Sequence, residues 1–250
     1  MVMTKKSPTR TALVFVVVAA VSQLFVAGLA KKTPRFPPAV PPERFGEGSI
    51  KDISLVVKNR DNASVIPELI GNYYGEMVTG YIKMQTHAGT HLVSHGYISP
   101  DSYTVDQLDF RTLVGPVLVV DIPEAIQRIT ADVLQSLNLP VGLKRVIFRT
   151  TNTIQKFIEK PFNPNYTGLT PDAATWLAQN TAIEFVGNDY VSVAVDDQRT
   201  EVYENLFAKP KMVAVEGLLL NDINPGEYTV YCFPLRLEAE SSPARCILVQ

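Results

Sequence analysis

The run Thr86-His-Ala-Gly-Thr-His91 gathers two of the three histidines of this 250-residue chain, and the third, His95, follows four residues later. Two neutral imidazoles at this spacing can bind one divalent cation, because histidine is the commonest nitrogen ligand for zinc, copper, iron and nickel. Gly89 argues against a regular helix, so we expect a strand that runs into a sharp turn. The alternative is a polar loop whose histidines only hydrogen-bond the nearby backbone.

Apolar, strand-like runs surround the histidines and outnumber the helical segments. Residues 131–137, capped by Thr130, and residues 173–180, preceded by Pro171, have the signals of short helices. Interleaved strands and few helices predict a single α/β domain with a mixed sheet. The predicted strands are residues 50–57, 116–122, 145–150, 183–186, 212–219, 228–237 and 245–249.

The first 45 residues differ in composition from the rest. Residues 1–30 have the order of a secretory signal peptide, with basic residues first, then an apolar stretch from Ala12 to Leu29. That stretch is near the length that spans a bilayer, so an uncleaved anchor, with membrane contact, is the alternative. The prolines of residues 31–45 predict an extended leader, which leaves residues 46–250 as the folded domain. Both alternatives predict a secreted or extracellular domain.

The cysteines, the glycosylation motifs and the net charge give further predictions about the environment and the partners of the chain. Cys232 and Cys246 lie in alternating apolar runs that predict a terminal hairpin, where they form either a disulfide or two buried free thiols. Asn62 and Asn165 begin N-glycosylation motifs, which predict exposed loops in a secreted chain. The net charge of −2 and the scattered basic residues argue against nucleic acid as a partner.

Two acidic residues adjoin apolar strands. Glu216 ends the run Met212-Val-Ala-Val-Glu216. A carboxylate is seldom buried unless it is paired or bound to metal, so Glu216 is either a site residue or a strand-end side chain that faces water. Asp189 follows a short apolar strand and either orients a ligand or caps a turn.

The histidine run resembles the first half of the signature His-x-Gly-Thr-His-x-Asp-x-Pro-x-His of the cyclase family, the metal-dependent hydrolases that include kynurenine formamidase and isatin hydrolase. Residues 232–248 are similar to the plant cyclase-like proteins in particular, and the resemblance covers residues 45–250. It implies a swivelling β/β/α fold, a homo-oligomer, and a zinc or manganese site that acts on a small-molecule amide. Other similar segments are residues 46–54, 115–121, 146–150, 187–192 and 215–218.

The resemblance carries over to the metal ligands residue by residue. It implies that His87 and His91 are ligands and that Glu216 is the late acidic ligand. Val93 stands where the signature has its aspartate ligand, so one bond and one negative charge are missing from the site. Metal affinity is therefore expected to fall by several kcal/mol, further than after a change outside the ligand shell.

The remaining functional histidines of the family have two possible counterparts each. In an ungapped alignment Tyr97 replaces the histidine of proton transfer, whereas a two-residue deletion brings His95 onto that position. No histidine follows position 95, and Tyr203 or Glu204 occupies the neighbourhood of the late histidine ligand. Glu204 would bind a hard cation through oxygen, whereas the phenol of Tyr203 stays protonated at neutral pH.

Two functions follow from these departures. The first is a secreted protein that resembles arylformamidase, the N-formylkynurenine hydrolase, with impaired or lost activity. The second is an active amidohydrolase for an N-formyl or cyclic amide, with a rebuilt metal site at His87, His91, Glu216 and Glu204 and with His95 as the base. The missing ligands favour the first.

Overall fold

A computed structural model describes residues 50–57, 64–70 and 77–250, and twelve strands lie in these ranges. Eight of them form one sheet and the other four form two small two-stranded sheets. The strands are β1 (Ile50–Asp52), β2 (Ser64–Ile70), β3 (Met77–Lys83), β4 (His91–Val93), β5 (Val114–Asp121), β6 (Arg128–Ile129), β7 (Arg145–Arg149), β8 (Gly168–Leu169), β9 (Phe185–Asn188), β10 (Val213–Glu216), β11 (Gly226–Pro234) and β12 (Ser241–Val249).

The main sheet closes on itself. Its order is β1-β12-β11-β5-β7-β9-β10-β4, and β4 also pairs with β12, so all strands but β1 form a barrel-like ring. The neighbours among β5, β7, β9 and β10 are parallel, whereas the other pairs are antiparallel. The prediction of an α/β domain with a mixed sheet and few helices is confirmed.

Five short helices accompany the sheet in the described part of the chain. Side-chain caps begin three of them, as when the Thr130 hydroxyl accepts a hydrogen bond from the amide of Val133. No helix in the described ranges is both long enough and apolar enough to cross a bilayer. The helices are α1 (Phe110–Leu113), α2 (Ala131–Ser136), α3 (Thr151–Ile154), α4 (Pro171–Asn180) and α5 (Arg199–Phe207).

Two apolar cores share the main sheet, because successive side chains of a strand point to opposite faces. In β7, Ile147 belongs to the core enclosed by the ring, whereas Val146 and Phe148 pack against α2, α4 and α5. In β4, Leu92 faces the enclosed core and Val93 faces the helices. Side chains that share the face of Val93 therefore lie between the sheet and α5.

Each predicted strand overlaps a strand of the structure, with shifted ends. β10 stops at Glu216 because Gly217 turns the chain with φ +70°. The predicted helices at residues 131–137 and 173–180 correspond to α2 and α4. No sequence pattern predicted α5 or the β2–β3 hairpin. The leader, its boundaries at residues 30 and 45, and the motif at Asn62 lie outside the described residues.

The terminal hairpin has the predicted form. β11 and β12 run antiparallel, and Cys232 and Cys246 are direct partners across them, joined by a disulfide. Both cysteines are fully buried in the core that the ring encloses. The disulfide therefore ties the two strands together inside the ring.

Candidate metal centre

The register of two strands brings the best predicted ligands together. β4 pairs antiparallel with β10, and His91 is the direct partner of Glu216. Directly opposed side chains on one face lie close together. Nε2 of His91 is 3.0 Å from Oε2 of Glu216, and both side chains are almost fully buried. Glu216 therefore does not face water, the alternative that the strand pattern left open.

A tight crossing of two turns holds the ends of these strands. The Thr90 hydroxyl donates to the carbonyl of Gly217 at 2.5 Å and accepts from the amide of Leu55 at 2.7 Å. Gly89 and Gly217 both have positive φ, and a Cβ on Gly217 would lie 2.6 Å from the Gly89 carbonyl oxygen. The crossing therefore requires glycine at position 217 and fixes the approach of His91 to Glu216.

His91 is held on both sides of its ring. Nδ1 lies 3.0 Å from the carbonyl oxygen of Gly89, which can only accept a hydrogen, so Nδ1 carries the proton. Burial lowers the pKa of His91, but the hydrogen bond and charge of Glu216 outweigh that effect, and the pKa lies above its ordinary value. Without a cation, His91 and Glu216 thus form a buried ion pair.

His87 completes the cluster at its outer edge. Its Nδ1 is 3.1 Å from Nε2 of His91, and about a third of its side chain is exposed. The Tyr97 ring packs against it, with ring centroids 5.3 Å apart. Burial and the neighbouring charge of His91 lower the pKa of His87. His87 is therefore the histidine that stays neutral and ready to bind a cation near pH 7.

Tyr203 lies on α5 and contacts the carboxylate of Glu216. The phenol donates a short hydrogen bond to Oε1 of Glu216, and the amide of Val193 donates to the same oxygen at 2.7 Å. The Ser192 hydroxyl lies 3.0 Å from the phenol oxygen. Burial raises the pKa of Glu216, but the hydrogen bonds from His91, Tyr203 and Val193 together bring it below its ordinary value. Burial and the charge of Glu216 raise the pKa of Tyr203, which stays protonated.

The donor set fits a divalent cation in part. One ligand atom each from His87, His91 and Glu216 lie within 4.8 Å of one another. Zinc with bonds of about 2 Å would place tetrahedral donors roughly 3.3 Å apart, close to the 3.1 and 3.0 Å separations. The aspartate position of the signature does not fit, because Val93 is buried in the apolar core beside α5.

Two predicted site residues lie elsewhere. Glu204 is exposed on α5 and is not part of the cluster, so its prediction as a ligand is corrected. Successive residues of a helix point in different directions, and only one of Tyr203 and Glu204 can face the sheet. The His95 ring contacts Tyr103 and Phe207 rather than the cluster, whereas Tyr97 lies against His87.

Glu240 is a carboxylate that the sequence analysis missed. It lies on the approach to β12, and its Oε1 is 3.5 Å from Nε2 of His87. The Thr86 hydroxyl donates to the same oxygen at 2.8 Å, across 154 residues of chain. Nothing in the spacing of the sequence joins these positions, because only the pairing of β12 with β4 brings them together.

Asp189 and Asn165 have different surroundings. The buried Asp189 carboxylate accepts hydrogen bonds from the backbone and side chains at the start of α3, so it caps that turn rather than facing the cluster. Burial raises its pKa despite these bonds. Asn165 is exposed, as the prediction for a glycosylation motif requires, although the hydroxyl-bearing Thr167 of the motif is buried.

Comparisons with known proteins agree with this architecture. The family described as Putative cyclase matches residues 26–195. Cyclase-like protein 2 of Arabidopsis thaliana is 39% identical over 222 residues, 83% of this chain and 81% of that protein. Cyclase-like protein 1 of Oryza sativa subsp. japonica is 43% identical over 175 residues, which is 68% of this chain and 64% of the rice protein.

More distant relatives include enzymes. The kynurenine formamidase of Bacillus cytotoxicus is 30% identical over 179 residues, 70% of this chain and 81% of that protein. A predicted metal-dependent hydrolase from Bacillus stearothermophilus superimposes with a TM-score of 0.67 at 26% identity, covering 80% of this chain and 98% of that one. An isatin hydrolase bound to thioisatinate gives 0.67 at 16% identity, with 97% and 99% covered. The chain therefore belongs to the cyclase family.

Proposed function

We propose that this chain is a secreted cyclase-family protein that binds one zinc or manganese ion at His87, His91 and Glu216 and hydrolyses N-formyl amides such as N-formylkynurenine weakly or not at all. The observation that carries the proposal is the position of Val93, which is fully buried among apolar side chains where the family signature has an aspartate. The centre thus has three of the five ligands that the resemblance implies, and in the described ranges neither the aspartate nor the late histidine has a counterpart in the cluster.

Cation binding is supported by the orientation of the His91 ring. The Gly89 carbonyl holds the proton on Nδ1, so the lone pair of Nε2 points to Glu216 and His87 when the ring is neutral. Protein metal sites commonly orient their histidines with such an acceptor behind the ring. Nitrogen and carboxylate ligands in this ratio suit zinc, and manganese accepts them as well.

Weak hydrolysis is supported by what surrounds the cluster. A bound cation would acidify a water molecule and polarise the scissile carbonyl. A base must then take a proton within hydrogen-bond reach, and His95 is not in contact with the cluster. Tyr97 lies beside His87, but a phenol is a much poorer general base than an imidazole. The described residues around the cluster are therefore better suited to bind a cation than to take a proton from a water molecule.

An active amidohydrolase is the second candidate, and one observation favours it. Two histidines and one glutamate are the protein ligands of several catalytic zinc sites, which leave the fourth position to water. The cluster of His87, His91 and Glu216 has this composition. In that case Glu240, at 3.5 Å from His87 and partly exposed, is the nearest carboxylate to act as base.

Metal analysis together with an assay separates the two candidates. Purified protein is loaded with Zn²⁺ or Mn²⁺, and metal content and N-formylkynurenine hydrolysis are measured for the wild type, His87→Ala and His95→Ala. We expect one ion per chain, lost in His87→Ala and retained in His95→Ala, with little turnover. Turnover that His87→Ala abolishes would establish the second candidate instead. A protein that binds no added ion would overturn both.

Secretion and assembly are part of the proposal. The signal-like residues 1–30, the exposed Asn165 and the buried disulfide are all typical of secreted domains. We propose a homo-oligomer by analogy with the family, with a small-molecule amide as ligand. Expression of the full chain in a eukaryotic secretory host tests these points: it should give glycosidase-sensitive protein in the medium that elutes above the size of one chain. Retention of the protein inside the cell would contradict secretion.

A further inference from the structure

The two histidines of the cluster turn different nitrogens toward each other. His87 presents Nδ1 and His91 presents Nε2, and these atoms are 3.1 Å apart. A neutral imidazole carries its proton on one nitrogen, so each ring can bind a cation only if its other nitrogen holds the proton. For His91 the acceptor behind the ring is the Gly89 carbonyl at 3.0 Å. His87 requires an acceptor near Nε2.

Glu240 occupies that place. We infer that Glu240 is a positioning residue, whose carboxylate holds the proton of His87 on Nε2 and thereby leaves Nδ1 free to bind the cation. The inference deepens the proposed function and rests on it for the identity of the ligand. Oε1 of Glu240 is 3.5 Å from Nε2 of His87, at the outer limit of a hydrogen bond from that nitrogen. Carboxylate, imidazole and cation in this order are a recurrent arrangement that raises the basicity of the ligand.

The Glu240 carboxylate is itself anchored. The Thr86 hydroxyl donates to Oε1 at 2.8 Å, and the Ser241 hydroxyl lies 3.4 Å from the same oxygen. Thr86 immediately precedes His87, so the anchor and the ring that it orients move together. The side chain of Glu240 is 38% exposed, which places it at the outer edge of the cluster. It can therefore be replaced without opening the core.

The backbone at position 240 is held separately from the side chain. The buried Ser94 contacts the Glu240 carbonyl twice, through its amide at 2.8 Å and its hydroxyl at 2.9 Å. Truncation of the carboxylate leaves these bonds in place. The sequence also offers a matched control, because Glu238 is exposed and lies two residues away.

The test compares Glu240→Ala with Glu238→Ala and with the conservative Glu240→Gln, whose amide oxygen can still accept from Nε2. Zn²⁺ affinity is measured by titration, and thermal stability is measured in the absence of metal. We expect Glu240→Ala to weaken Zn²⁺ binding about 10- to 100-fold, Glu240→Gln to restore part of it, and Glu238→Ala to match the wild type. The metal-free melting temperature should change little in all three, which distinguishes orientation from folding.

A second readout does not depend on metal. Nitrogen-15 NMR of labelled histidine reports which ring nitrogen carries the proton, and three histidines are readily assigned with single variants. Wild-type and Glu238→Ala protein should have His87 protonated on Nε2, whereas Glu240→Ala should have a mixture. Unchanged tautomer and affinity in Glu240→Ala would overturn the inference while leaving the proposed function intact. A Glu240-dependent tautomer in a protein that binds no Zn²⁺ would overturn the proposed function alone.

Discussion

Tyr203 donates a hydrogen bond to the buried carboxylate of Glu216, near the position in the chain where the family resemblance leads one to expect a histidine ligand. A phenol in this place satisfies one oxygen of Glu216 from within the protein. The other oxygen faces His91. The carboxylate is thus paired on both sides without any cation, which explains how the fold tolerates a buried charge at this position.

Replacement of Tyr203 by phenylalanine should be costly, because the phenol donates to an ionised group. A hydrogen bond to a charged partner contributes about 1.5–3 kcal/mol, against roughly 0.5–1.5 kcal/mol for a neutral pair. The matched control is Tyr228→Phe, whose hydroxyl donates to the neutral carbonyl of Asn224 at 3.0 Å. Urea unfolding at neutral pH should give the larger loss for Tyr203→Phe. Equal losses would mean that Glu216 is not ionised.

The ion pair of His91 and Glu216 predicts a bell-shaped pH dependence of stability in metal-free protein. The lowered pKa of Glu216 adds stability above its ordinary value of 4.5, which is lost as the pH falls through the folded-state pKa. The raised pKa of His91 adds stability below its ordinary value of 6.5, which is lost as the pH rises through the folded-state pKa. The free energy of unfolding of the wild type minus that of His91→Gln/Glu216→Gln should therefore be greatest between these values. A difference that is flat with pH would contradict the ion pair.

Val93→Asp returns the family's carboxylate to an apolar position. Without metal the buried charge should destabilise the fold by about 3 kcal/mol or more. Added Zn²⁺ should raise the melting temperature of Val93→Asp more than that of the wild type, because the cation would gain a charged ligand. Val93→Asn has nearly the same shape without the charge and is the control. An equal rise in all three proteins would show that position 93 does not face the cation.

Gly217→Ala should damage both the fold and the centre. A methyl group at this position meets the Gly89 carbonyl at 2.6 Å, and φ is +70°. Gly142→Ala is a matched control, since φ is +83° there and no atom lies within 4 Å of the added carbon. The control should lose about 1–2 kcal/mol from backbone strain alone, whereas Gly217→Ala should lose more and also bind Zn²⁺ more weakly. Calorimetry and metal titration of the two variants measure these effects.

The parts of the fold that were predictable are those whose own residues determine the structure. β7 and β9 contain short apolar runs that are buried on both faces, as parallel strands covered on both sides require. β4 has only three residues and becomes a strand through its two partners, which no local pattern reveals. α5 has no side-chain cap at its start and carries charged residues along much of its length, so neither signal of a helix was available.

The candidate site likewise consists of residues that the sequence predicted and residues that only the folded structure brings together. His87 and His91 are close in sequence and were visible as a pair. Glu216 was assigned as a ligand through the family resemblance, whereas its apolar strand alone left open whether it faced water or a site. Its burial follows from the cross-strand register with His91, a long-range fact that single-strand patterns do not contain. Glu240 joins the cluster through the closure of the ring and had no sequence signal.

The three-residue strand β4 joins β10 to β12 and so completes the ring. His91 belongs to β4 and Glu216 to β10. A cation bound by both side chains would therefore link these two strands where they pair. Binding of the cation and pairing of β4 with β10 would then be thermodynamically coupled, so that each favours the other. Under the proposed function, an ion bound by the two histidines and the glutamate would thus stabilise the closed ring whether or not the protein hydrolyses amides.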